Sequence, residues 1–214
     1  MEVITAKNLH VPRPSPDWMR KLAASLVSFA GPHDPLIVAI YGQDWPGRQA
    51  VQSIYSVGLN SILDAKNLDH ISKPFCWRFV AGGHKVVAKA AGCWATHESH
   101  DSPAKIMATF RGPEMADLLL SAEMLNELNE LLSRPQMRFE LRVLRIPALY
   151  FEAFWLKCPQ GDWVVPYGLL YDGKGLVKFG SNRLDRNKAY SVTDFLKIAK
   201  EAAKQRIASH QALL

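Results

Sequence analysis

The chain lacks any apolar run long enough to cross a bilayer. Residues 36–40 form only a short run and residues 148–156 are interrupted by Glu152, whereas a spanning helix takes about 20 apolar residues. No transmembrane helix is expected. The N-terminal residues show no basic start followed by an apolar core, so nothing resembles a secretory signal and a cytoplasmic location is expected. Cysteine is scarce: Cys76, Cys93 and Cys158 are odd in number and widely spaced, which fits reduced thiols in the core better than a disulfide framework or a zinc ribbon.

Familiar catalytic and ligand-binding signatures are missing as well. There is no Gly-x-Ser-x-Gly nucleophile elbow, which argues against an α/β-hydrolase. The stretch 41–48 could place backbone N–H groups and Arg48 beside an anion at a strand-to-helix loop. It has neither the Lys-Ser/Thr of a phosphate-binding P-loop nor the glycine spacing of a dinucleotide fingerprint, and a turn with a solvated Arg48 accounts for it more simply. Residues 81–85 are likewise better explained by hairpin geometry than by phosphate binding. Internal repeats, long low-complexity segments and interdomain linkers are absent too.

What remains is the composition of a folding chain. Of the 214 residues 48% are hydrophobic and 21% charged, a balance far from that of disordered sequences, and the length fits one domain over 1–214. The formal net charge is +6. Residues 172–214 hold nine Lys and Arg against four Asp and Glu, so nearly all the excess is C-terminal, where it favours anionic partners or simply keeps the protein soluble.

Periodicity gives the elements. Ser15-Pro16-Asp17 opens a helix over 16–30 with Met19, Leu22, Leu26 and Phe29 on one face. Residues 36–41 read as a buried strand and 44–47 as a turn, while 49–63 suits a helix better than the strand alternation it also shows. Phe75, Trp77 and Phe79 alternate with Cys76, Arg78 and Val80, and with 86–94 they predict a hairpin closed by a tight turn at Gly82-Gly83. Residues 95–112 read as a loop and 113–133 as the clearest amphipathic helix.

Strands are expected at 138–146, at 149–157, apolar on both faces and therefore central, and at Trp163 to Val165 after the turn 159–162. Residues 168–190 read as loop or short edge strands. Ser191 and Asp194 then form a capping box ahead of a last helix with Phe195, Ile198, Ala199, Ala202 and Ile207 inward. Together these predict an α+β fold: a single domain with a mainly antiparallel sheet of roughly four to six strands packed against the amphipathic helices 16–30, 113–133 and 192–209.

Three groups of residues suggest chemistry. Cys93, His97, Glu98, His100 and Asp101 bring thiol, imidazole and carboxylate together within a short stretch, ligand types that transition metals favour. The spacing lacks the helical His pair or paired Cys of known zinc sites, so a polar loop is the simpler account. Ser99, His100 and Asp101 are adjacent in sequence, which does not build a catalytic triad. Lys197, Lys200, Lys204 and Arg206 line the polar side of the last helix, where nucleic acid or another anionic partner could dock. A solvated face is the bland alternative, and the aromatic interleaving of single-strand binders is missing. Arg138, Glu140 and Arg142 share a strand face and fit cross-strand ion pairs.

The function expected from this pattern is a non-catalytic binding or protein-interaction module that takes another protein or an anionic ligand, with no cofactor and no membrane. The alternatives are a metal- or thiol-dependent hydrolase or transferase using the 93–101 loop, and a protein that binds nucleic acid or another anionic partner through the basic C-terminal helix.

Overall fold

In a computed structural model, residues 8–30, 48–82, 91–96, 106–111, 130–167, 176–179, 182–185 and 188–211 are described. The fold is α+β, with strands that pair mostly antiparallel. The chain divides into two compact units. The first comprises Met1–His10, Tyr55–Lys73 and Ser121–Leu214, and the second Val11–Ile54 and Pro74–Leu120.

In the first unit the strand β6 (Phe139–Ile146) pairs antiparallel with β7 (Phe151–Lys157), and β7 pairs with β8 (Trp163–Pro166). The short β1 (Leu9–His10) runs parallel to β6, and β11 (Tyr190–Ser191) closes the other side against β8. As its two-faced apolar pattern predicts, β7 is central and buried along all but its last residue. A separate hairpin is formed by β9 (Leu176–Phe179) and β10 (Asn182–Asp185), the short strands expected within 168–190; residues 168–175 lie outside the described ones.

The turn between β7 and β8 forms where expected because Asp162 organises it. Its carboxylate accepts from the Cys158 backbone N–H and the Trp155 indole N–H, both at 2.9 Å. Gly161 takes φ 134°, a region closed to side chains by sterics. The β6–β7 link is a 3₁₀ turn over Pro147–Leu149, so β7 starts two residues later than its sequence pattern indicated, after Tyr150, whose φ of 51° is left-handed. Two helices complete the unit, α2 (Leu59–Leu63) and α3 (Val192–Gln211). Phe195, Leu196, Ala199, Ala202 and Ala203 of α3 share one core with Phe151, Ala153, Trp155 and Val164 of the strands.

The second unit holds α1 (Pro16–Ala30), β3 (Lys73–Gly82) from Pro74 onward, β4 (Ala91–Thr96) and β5 (Ile106–Arg111). Ser15 Oγ accepts from the Trp18 N–H at 3.2 Å, the cap expected there, and Trp18, Leu22 and Ala23 are buried. Trp18 stacks on Phe79 with centroids 6.3 Å apart.

Several expectations are corrected. Residues 48–56 form the strand β2 (Arg48–Ser56) instead of a helix, with Gln52, Ser53 and Ile54 all buried along it, and the helical part shrinks to α2 after Gly58. The stretch 95–112 is not all loop, because Ile106–Arg111 pairs antiparallel with β4. β3 and β4 do pair, with Ala81 opposite Ala91 and Gly82 as the last residue of β3; Gly83, the other half of the expected turn, lies outside the described residues. The described residues contain more strands, β1 to β11, than the four to six expected. Of the helix expected over 113–133, residues 130–133 are described; 130–132 are helical and Ser133 is already a turn. The strand expected over 36–41 and the turn over 44–47 lie outside the described residues. No helix among the described residues is long and apolar enough to cross a membrane.

Candidate functional site

The last helix begins where Ser191 can satisfy its free N–H groups. Ser191 Oγ accepts from the Asp194 N–H at 3.1 Å and donates to the Asp194 carboxylate at 2.7 Å. This departs from the reciprocal box, because the Asp194 side chain is too short to reach back to the Ser191 backbone and takes the hydroxyl instead. The Ser191 hydrogen bond first, then the hydrogen bond and charge of Lys197, hold the Asp194 carboxyl below its ordinary range.

Beyond this cap, the buried face of α3 dictates what its other face carries. Lys197, Lys200 and Lys204 step by three and four residues and so share one side, away from Phe195, Ala199 and Ala202. Lys197 and Lys204 are exposed and Lys200 half-buried. Lys197 pairs with Asp194 at 3.3 Å. Among the described residues, Lys200 and Lys204 make no ion pair or hydrogen bond. Arg206 is also exposed, but it lies round the helix from this row, beyond Ala203, where the buried face ends.

Two charged groups within the first unit were not anticipated as sites. Glu152, seen in the sequence only as a break in an apolar run, is 1% exposed on β7. Its Oε2 accepts from the Tyr167 hydroxyl at 2.9 Å, and Arg145, its cross-strand partner, brings Nε to 3.5 Å from Oε1. A carboxylate inside an apolar run is the signal that could have exposed this arrangement, since a buried charge must find partners. The second group surrounds Arg142. Its guanidinium lies 4.5 Å from the Tyr55 ring centroid and 4.7 Å from that of Trp155, and it pairs with Glu140 and Asp69. Lys157 Nζ also reaches Asp69 at 2.7 Å. The Arg142–Glu140 pair thus lies along one strand instead of across two, and the cross-chain link runs to Asp69. Both groups are matched in charge and closely packed, which suits holding the sheet together better than receiving a ligand.

In the second unit Arg78 is fully buried on β3 and donates to Gln52 Oε1 at 2.8 Å. Cys76 and Cys158 are buried cysteines, the core role expected of them.

The other sequence candidates do not come together into a described site. Arg48 is the first residue of β2, not the end of a strand-to-helix loop. Cys93 is a residue of β4, opposite Phe79 and Thr109, while His97, Glu98, His100 and Asp101 lie outside the described residues, as do residues 41–47. Among the described residues no group of three or more His, Cys, Asp or Glu could hold a metal ion. Compared with protein-family models, with curated proteins and with solved structures, the chain matches none.

Proposed function

We propose that this protein is a non-catalytic binding protein that engages an anionic partner through the outer face of α3. One observation carries the reading: Lys200 and Lys204 stand one turn apart with no ion pair among the described residues, on a helix whose opposite face is anchored in a core. Cations already paired at home gain little from a partner, whereas unpaired ones on a fixed support keep their charge for it. The helix is already ordered by the Ser191 cap and by the burial of Phe195 and Ala199, so little conformational entropy is lost on binding.

The test is fluorescence anisotropy of labelled anionic probes, namely a glutamate-rich peptide and a single-stranded oligonucleotide, at low and at physiological salt. The wild-type protein should bind at least one probe with an affinity that falls as salt rises. Changing Lys197, Lys200 and Lys204 together to Gln should weaken that binding by about tenfold or more, since each exposed pair contributes up to about 1 kcal/mol. Equal binding by the triple variant, or none by the wild type, removes the proposal. We place the protein in the cytoplasm as one domain: the buried cysteines Cys76 and Cys158, neither of them in a disulfide, fit a reducing compartment, and fractionation of expressing cells checks it.

A further inference from the structure

Resting on that reading, we infer that the partner is the acidic side of a protein helix laid along α3, and not a polyphosphate chain or a lipid surface. Spacing is the first ground. Lys197, Lys200, Lys204 and Ile207 follow one another at intervals of three, four and three residues, the repeat of a seam that meets a second helix lengthwise. Ile207 extends this seam past Ala203, the last buried residue over 192–209, and it is only half-buried where Lys204, Arg206, Ala208 and Ser209 are exposed. The seam therefore ends in an apolar side chain with surface to spare, something a bare string of phosphates has no use for.

Charge pattern is the second ground. Glu201 is exposed, four residues after Lys197 and three before Lys204, so it stands beside the lysine row. Asp194 lies at the N-terminal end of the same row and already holds Lys197 by an ion pair at 3.3 Å. A nucleic acid or an anionic membrane presents negative charge continuously, and it would meet Glu201 wherever it met Lys200 and Lys204. With only two lysines of this row left unpaired among the described residues, it would also release few counterions, which is the main source of affinity for such partners. A protein helix can instead place carboxylates only where they are wanted. Lys200 and Lys204 are one helical turn apart, about 6 Å along the axis, matching two acidic residues at i and i+4 on a facing helix. An amide or basic residue between them answers Glu201, and an aliphatic residue one turn on covers Ile207.

The experiment uses the full chain and four labelled probes: a helical peptide with a Glu pair at i, i+4 and a Leu one turn on, the same peptide broken by a central proline, a single-stranded oligonucleotide, and vesicles containing phosphatidylserine. The helical peptide should bind most tightly, and the proline version about tenfold or more weaker. The double variant Lys200→Glu with Lys204→Glu should lose the peptide and regain a version carrying Lys at the paired positions, while circular dichroism shows the helix content unchanged. If the oligonucleotide or the vesicles bind as tightly as the peptide, and through the same lysines, the helical partner is overturned while an anionic partner stands. If the proline peptide binds equally well, the lengthwise seam is wrong. If no probe binds, both readings fall together.

Discussion

At the scale of single residues the structure shows where charge is tolerated inside an apolar sheet. Glu152 is buried on the central strand because it faces partners: the Tyr167 hydroxyl at 2.9 Å and, across the strand, the Arg145 guanidinium. The 3.5 Å separation from Arg145 Nε is an ion-pair distance and not a hydrogen bond, so the tyrosine is the closer of these two contacts. Replacing Tyr167 by Phe keeps the ring, which lies 4.7 Å from that of Phe154, and removes only the donor. The expected cost is about 1.5–3 kcal/mol, the usual range for a hydrogen bond to a charged group, measured by urea unfolding with an unchanged slope. A variant as stable as the wild type would mean that the hydroxyl contributes nothing to holding this carboxylate. Arg142 shows the complementary arrangement, a guanidinium packed by two rings and paired with two carboxylates, which uses its flat apolar faces and its polar edge at once.

At the scale of elements the last helix depends on how it starts. Ser191 closes the first turn through the Asp194 N–H and also shapes the titration of the Asp194 carboxyl, which its hydroxyl and then Lys197 hold below the ordinary range. A lowered folded-state pKa means that the charged carboxylate favours the folded form. Its contribution is complete above the ordinary carboxylate range and is lost as pH falls through the lowered value. NMR titration should accordingly find Asp194 losing its charge below the range of an unperturbed aspartate, and Ser191→Ala should move the midpoint up. The same substitution removes the cap and should cost about 1 kcal/mol; an unmoved Asp194 midpoint in that variant would show that Ser191 is not the main cause. The strand β2 carries the opposite lesson about elements. Residues 49–63 fit two periods, and the helical one won only at Leu59–Leu63, because Ile54 and its neighbours Gln52 and Ser53 are buried along an extended strand.

At the scale of the whole molecule the length of the chain favours one domain, while its contacts divide it into two compact units. Differential scanning calorimetry separates these descriptions. One domain gives a single transition whose calorimetric and van't Hoff enthalpies agree, and two resolved transitions would show units that unfold independently. Much of the architecture was legible in the residues: α1 from its cap and apolar spacing, β3 and β6 from alternation, β8 from the turn that precedes it, β7 as a central strand from being apolar on both faces, and α3 from Ser191 onward. These signals are local, and local periodicity registers directly in the order of side chains. The basic row Lys197, Lys200 and Lys204 was legible for the same reason. Tertiary structure alone decided which strands pair, that Ile106–Arg111 is a strand, that Glu152 meets Tyr167 and Arg145, and that Asp69 joins Arg142 and Lys157. Asp69 and Arg142 lie far apart along the chain, and no local pattern encodes such a meeting. It arises when burial of both sheet faces leaves each charged group to find its counterpart among whatever residues the fold brings near.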